Sequence, residues 1–285
     1  MRRLHLATCA TLPEPDPDAA PLTAALAAAG IEASWVDWRA GVPASDAPTL
    51  LRSTWDYSEH LPAFLRWCDA VDAAGGLLNP AAVVRGNVHK AYLLELARRG
   101  VPAVPTALVA PGTSAAEAIA LAETRGWGRV VIKPEVGAGS RGAGRFDLTH
   151  ADGQAAAAAH LAHWCRSEAM LIQPYLAAVE GVGERSLVWI AGAFTHAVRK
   201  SPRFAGDAEA ITGPFPIDDD ERAVASAALA PLADQLLYAR VDLVRDDGGQ
   251  PCVMELELIE PSLFFARHPP SLQRLVAALA ARLGG

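Results

Sequence analysis

Short apolar runs alternate with alanine-rich stretches from the start of the chain. Leu4–Thr8 is an apolar run and predicts a buried strand. Pro21–Ala29 predicts a helix closed by Gly30, Ile31–Val36 a second strand, and Thr49–Arg52 a third. Leu61–Ala74 predicts a helix that stops at Gly75-Gly76, after which Leu77-Leu78 runs into Asn79-Pro80. This β-α-β alternation predicts a small parallel sheet with helices on its faces. Pro13, Pro15 and Pro17 alternate with acids, and the pattern assigns that loop no element.

Asn87–Arg99 predicts one helix, closed by Gly100, and Pro102 and Pro105 enforce an extended exit. Ala107–Val109 is strand-like, and Ser114–Thr124 is a helix capped by Thr113 or Ser114. Arg129–Lys133 predicts a strand, followed by a glycine-rich loop, a strand at Arg145–Leu148, a helix at Ala151–Trp164 and a strand at Ala169–Gln173. Arg185–Ile190 and Phe194–Lys200 predict strands around the Ala191-Gly192 turn. Asp218–Glu221 resembles a capping box for a helix running to about Leu236. Ala239–Val244 and Cys252–Leu258 predict a hairpin, and Ser271–Leu283 a closing helix.

Composition narrows the classes. With 285 residues, 51% of them hydrophobic, the chain can bury a sizeable core. A net charge of −7 argues against a general nucleic-acid binder. No apolar run approaches the ~20 residues that span a bilayer. The opening residues Met1–Ala7 read as a strand, not as a signal peptide. Cys9, Cys68, Cys165 and Cys252 form no CxxC pair, so neither zinc nor a disulfide framework is expected, and a cytoplasmic location fits. The chain carries 22 arginines but only three lysines, Lys90, Lys133 and Lys200. Chance retention explains one; three inside motifs suggest sites where a compact ammonium meets phosphate.

Gly137, Gly139 and Gly142 satisfy GxGxxG, but a dinucleotide fold needs a helix directly afterwards. Here a strand follows, so the glycines sit on a hairpin flap. A plain surface hairpin would carry such glycines too, but this flap can fold its N–H groups over phosphates, with Lys133 aimed at the same charges. Gln173-Pro174-Tyr175-Leu176 ends a strand at a hinge able to read an adenine edge. Glu180, seven residues after Gln173, suits ribose hydroxyls or is a solvated loop acid. Glu255 and Glu257 leave one face of a strand, and Asp242 on the partner strand reaches that face. Three carboxylates in an apolar strand pair favour Mg²⁺ with nucleotide phosphates over a polar sheet face.

The order of these motifs resembles the ATP-grasp superfamily of carboxylate–amine ligases over about residues 85–265. The likeness extends to the cyclo-ligases of D-cycloserine biosynthesis. It is carried there by Leu51-Arg52-Ser53-Thr54-Trp55-Asp56-Tyr57, Asn87-Val88-His89-Lys90, His196-Ala197-Val198-Arg199-Lys200 and Glu255-Leu256-Glu257-Leu258-Ile259-Glu260-Pro261. The resemblance implies an α/β (α+β) ATP-grasp fold. Residues 1–85 would form a parallel α/β domain on the substrate side, 86–175 a central subdomain with the flap, and 176–285 a C-terminal subdomain with the metal site.

By the same resemblance Lys90 and Lys133 hold the α- and β-phosphates. Gly137, Gly139, Ser140 and Gly142 close over the triphosphate, and Gln173, Tyr175 and Leu176 frame adenine. Glu180 binds ribose, and Lys200 meets the γ-phosphate. Asp242, Glu255 and Glu257 hold Mg²⁺, with Mn²⁺ as an alternative, and Arg240 stabilises the charged intermediate. Many relatives carry Glu-x-Asn at the metal site, where this chain has Glu257, which adds negative charge.

The implied reaction is ATP- and Mg-dependent. A substrate carboxylate becomes an acylphosphate and a nitrogen then displaces phosphate, as when O-ureido-D-serine closes to D-cycloserine. Other amino acids or small carboxylates, a kinase-like enzyme and a non-catalytic nucleotide-binding protein are the alternatives. The expected partner is a small amino-acid-like molecule, without nucleic acid or membrane, and a homo-oligomer is compatible with the chain. Arg52, Ser53, Trp55 and Asp56 follow the third strand, where an open parallel sheet places ligands. Arg52 suits a carboxylate and Asp56 an amino group, while packing of the domain junction explains Trp55 and Tyr57 equally well. His196 is a substrate contact or a strand histidine.

Overall fold

The computed structural model describes residues 2–44, 46–181, 183–201 and 210–284. The chain opens with β1 (Arg2–Thr8), α1 (Ala19–Ala28), β2 (Ile31–Asp37), β3 (Thr49–Ser53), α2 (Leu61–Ala74) and β4 (Leu77–Leu78). These four strands form a parallel sheet in the order β2-β1-β3-β4, as the alternating pattern predicts.

Two short helices, α3 (Ala81–Asn87) and α4 (Tyr92–Arg98), lead into a second sheet. Its elements are β5 (Ala107–Val109), α5 (Ala115–Glu123), β6 (Arg129–Pro134), β7 (Gly144–Asp147), α6 (Ala151–Trp164) and β8 (Met170–Pro174). The strands pair antiparallel in the order β5-β8-β6-β7. Ser114 caps α5 in a reciprocal box with Glu117, and Asp218 does the same with Glu221 at a later helix.

The last part runs α7 (Ala178–Gly181), β9 (Glu184–Ile190), β10 (Ala193–Lys200), β11 (Ile211–Phe215), α8 (Asp219–Leu229), β12 (Tyr238–Arg245), β13 (Pro251–Glu257) and α9 (Pro269–Arg282). Its strands form an antiparallel sheet ordered β11-β10-β9-β12-β13.

Cores join these sheets into one body. Leu4, Leu6 and Leu50 of the parallel sheet share a core with Val188, Ile190 and Val198 of the third sheet and with Leu275 and Leu279 of α9. The other face of the third sheet packs on α4 and α8 through Leu93, Leu96, Ala225 and Leu229. The central sheet buries Val130, Ile132 and Ile172 against Ala118 and Ala122 of α5 and Ala157 and Leu161 of α6.

Two helices differ from expectation. The span 87–99 is broken, because the buried Asn87 side chain docks on β13 instead of continuing a helix. Its amide donates to the Leu256 carbonyl (2.8 Å) and accepts from the Leu258 N–H (2.9 Å). Tyr92 Oη accepts the Leu256 N–H (2.9 Å) from the other side of the break. The helix expected to reach Leu236 ends at Leu229, with Pro231 following and only a 3-10 turn at Ala233–Gln235.

Candidate active site

The β12–β13 register pairs Arg240 with Glu257 and Asp242 with Glu255. Strand alternation therefore turns all four side chains to one face. Arg240 lies along Asp242, with Nε 2.8 Å from Oδ1 and Nη2 2.8 Å from Oδ2, and Nη2 also donates to Glu257. Lys200, at the end of β10, donates to Asp242 Oδ2 (2.9 Å) and pairs with Glu184 directly across the strand. Lys133, near the end of β6, donates to Glu255 Oε1 (2.8 Å), and Lys90 Nζ stands 3.5 Å from the same oxygen. The Lys90 backbone N–H is tied to the Glu135 carbonyl (3.0 Å), so the helix break carries this lysine to the flap strand.

All three lysines thus converge on one acidic cluster. Burial opposes charge on each acid. It prevails at Glu184, pushed up to about 8 despite Lys200, and raises Glu257 despite Arg240, while cationic neighbours overcome it at Asp242 and Glu255. Arg240 and Lys200 hold the Asp242 carboxyl well below the usual carboxylate range. Lys133 and Lys90 do the same for Glu255. Lys90 stays charged above its ordinary range because Glu255 leads the groups that outweigh its burial. Glu260 has no such partner: burial, then Glu257, pushes its carboxyl up to about 8.

Apart from Asp242, these groups line a cavity of about 770 Å³. Gln173, Tyr175 and Leu176 of the hinge line it, as do Gly137, Gly139 and Ser140 of the flap. Gln173 is fixed by donating to Thr106 Oγ1 (2.9 Å). Ser140 adopts a left-handed backbone at φ 61°, beside Gly139 at 59°, which turns the flap tip. Trp55, Tyr57 and Glu59 line the cavity from the parallel sheet, together with Pro13, Glu14 and Pro17 of the acid–proline loop.

Several expected site residues lie elsewhere. Gly142 does not line the cavity. At φ 65°, a Cβ there would meet Trp164 and Pro134 at 2.8 Å, so its glycine serves the packing of the flap base. Glu180 is exposed and joins Arg145 (2.7 Å) and the Tyr175 hydroxyl (2.5 Å) outside the lining. Asp242 has no exposed surface and forms the floor beneath the lining. Among the substrate candidates only Trp55 reaches the cavity. Arg52 and Ser53 are each 1% exposed, Ser53 bonded to Thr8 (2.9 Å), and Asp56 accepts from Trp38 Nε1 (2.6 Å). His196 is a buried strand histidine stacked on His268.

The structure adds Glu184, Glu260, Ser262 and Phe264 to the lining. Glu184 opens β9 opposite Lys200, a pairing that depends on a register shift between Phe194 and His196. One ligand oxygen each from Asp242, Glu255 and Glu257 lie within 4.8 Å of one another. An all-carboxylate set is the donor chemistry of a hard divalent cation, so these residues fit Mg²⁺. Among the described residues no helix is long and apolar enough to cross a membrane.

Comparison with known proteins agrees. A family model described as the N-terminal domain of D-cycloserine synthetase DcsG matches residues 4–79. The chain is 34% identical over 288 residues to the cycloserine biosynthesis protein DcsG of Streptomyces lavendulae, covering 94% of each. It superposes on the crystal structure of D-cycloserine synthetase DcsG with a TM-score of 0.88, 34% identity and 99% of both chains covered. A RimK-domain ATP-grasp protein from Sphaerobacter thermophilus shares the fold alone, at a TM-score of 0.67 and 19% identity over 99% of this chain and 98% of that one. Fold and site therefore define an ATP-dependent ligase of ATP-grasp architecture. Within that class, the chain belongs to the DcsG family.

Proposed function

We propose that this ligase closes O-ureido-D-serine to D-cycloserine. The observation that carries the reading is the kinship with DcsG along nearly the whole chain, joined to a cavity with a cationic, metal-competent end. The substrate carboxylate attacks the γ-phosphorus of ATP, giving an acylphosphate and ADP. The ureido nitrogen next to the chain oxygen then attacks the acyl carbon, and the former carboxylate oxygen leaves on phosphate. One water removes the carbamoyl group as CO2 and ammonia.

The lysines already face carboxylates, so a triphosphate enters by exchange. Lys90 and Lys133 move from Glu255 to the α- and β-phosphates, and Lys200 moves from Asp242 to the γ-phosphate. Asp242, Glu255 and Glu257 would hold magnesium, or manganese, which supplies charge neutralisation at the phosphates when bound. Gly137, Gly139 and Ser140 cover the phosphates, and Gln173, Tyr175 and Leu176 frame adenine. Glu184, which lines the cavity where Glu180 does not, is the better placed acid for ribose. Arg240 offers a fixed guanidinium to the oxyanion of the tetrahedral intermediate. The substrate ammonium meets Glu260, and Trp55 and Tyr57 wall its side chain.

The test is ADP and phosphate release with Mg-ATP and O-ureido-D-serine, with products followed by mass spectrometry. Cycloserine formed in step with ADP is the expected result. A stable phosphorylated product would instead mark a kinase-like enzyme. ATP left intact would sink the cycloserine reading and move the search to other amino acids.

A further inference from the structure

Arg52 and Asp18 are each 1% exposed and lie at the base of the parallel sheet's loops, away from the cavity lining. The Asp18 carboxylate accepts three consecutive backbone N–H groups, from Leu263 (2.6 Å), Phe264 (3.1 Å) and Phe265 (2.9 Å). Arg52 Nη2 stands 3.6 Å from the same carboxylate and donates to the Pro261 carbonyl (3.2 Å). The N-terminal sheet thus grips residues 261–265 from more than 200 positions away in sequence. Arg52 Nε and Nη1 are buried without a hydrogen-bond partner. A guanidinium so incompletely satisfied is a poor device for stability alone.

The gripped segment leads to the chemistry. The Ser262 carbonyl accepts from Arg240 Nη1 (3.3 Å), and the Phe264 ring centroid lies 5.5 Å from the Arg240 guanidinium. Phe264 holds a left-handed backbone, φ 54°, at the point where Asp18 takes its N–H. Ser262 and Phe264 line the cavity, and so do Pro13, Glu14, Pro15 and Pro17 just before Asp18. One buried pair therefore sets two walls and the remaining face of Arg240.

We propose that Asp18 and Arg52 are positioning residues of the ligase site, acting through Ser262 and Phe264 to hold the Arg240 guanidinium in its working orientation. The kinetic consequence rests on the ligase reading above; the structural coupling does not. Two measurements keep them apart. The first is the slowly exchanging Nε–H resonance of Arg240, assigned by its loss in Arg240→Lys. It should shift in both Asp18→Asn and Arg52→Lys without any ligand, and an unmoved resonance in both overturns the proposal.

The second is kinetic. Each variant should lose about tenfold in kcat with the KM for ATP held within about twofold, because the nucleotide lysines lie on other elements. Arg52→Lys added to Arg240→Lys should cost no further activity beyond about threefold, as expected when one residue acts through the other. Multiplying losses, or an equal rise in the KM for ATP, would show a general structural role and overturn the proposal. If a variant does not fold, Phe264→Leu leaves the pair intact and removes its contact with Arg240; the same shift and kcat loss are expected there. Absence of wild-type turnover would fail the ligase reading, and the resonance would still decide the coupling.

Discussion

The two ends of the cavity are built differently. At the lysine-rich end every cation is matched: Lys90 and Lys133 share Glu255, Lys200 bridges Glu184 and Asp242, and Arg240 spans Asp242 and Glu257. These side chains stand on strands or at their ends, apart from Lys90. At the other end the walls are loops, and Glu260 makes no hydrogen bond or ion pair through its side chain with any described residue. A paired, strand-mounted cluster suits a polyanion that arrives with its metal, since each charge trades one partner for another. A loop-built end with an unpaired acid suits a small cationic group, and it is the part that can change substrate while the scaffold stays rigid.

Arg240 joins the two ends, so its substitution should have the largest effect. Arg240→Lys keeps a charge beside Asp242 but loses the planar fork. We expect kcat to fall by roughly 100- to 1,000-fold, the usual cost of removing one oriented donor from an oxyanion. ATP binding, read by calorimetry, should change little. Comparable losses in both would mean that Arg240 holds the acidic floor together more than it serves the intermediate.

The next pair should separate the ends. Lys133→Met should weaken ATP by about 10- to 100-fold, since a charge-assisted hydrogen bond contributes about 1.5–3 kcal/mol, and leave the amino-acid KM nearly unchanged. Glu260→Gln should do the converse, raising the amino-acid KM by about tenfold with ATP affinity intact. If Glu260→Gln affects ATP and not the amino acid, Glu260 belongs to the metal end and the division drawn above is wrong.

Much of the lysine–carboxylate cluster was legible because its residues sit in local motifs. Lys133, the flap glycines and the Asp242–Glu255–Glu257 set need only strand alternation and one hairpin to meet. Glu184 was harder. Counting outward from the Ala191-Gly192 turn places Gly183 opposite Lys200; an irregularity between Phe194 and His196 shifts the register and brings Glu184 there instead. Glu180 was singled out by its spacing from Gln173 and by the resemblance, and the short α7 turns it outward to Arg145. The loop-built end was least legible. The acid–proline loop has no periodicity, and Arg52 reads as a surface ligand unless one knows that Asp18 and Pro261 bury it. Contacts spanning two hundred residues leave no local pattern.

His196 tests the far anchor of that loop end. It lies on β10 at 3% exposure, stacked on His268, the residue that closes the 261–268 segment before α9, with ring centroids 4.7 Å apart. Thr195 Oγ1 is 2.9 Å from Nδ1, and Nε2 is buried without a partner. Burial, then the facing His268, lowers the His196 pKa from 6.5 to about 4. A histidine depressed in the folded state adds stability above its unfolded value and loses it as pH falls toward the folded one. Between about pH 7 and pH 5 this amounts to about 2 kcal/mol, or roughly 4 °C in Tm for a chain of this size. His196→Phe keeps the ring stack but cannot take a proton, so its Tm should fall less by about that amount over the same range. Parallel Tm profiles for the two proteins would mean that this anchor is indifferent to charge, and that the loop-built end is held by Asp18 and Arg52 alone.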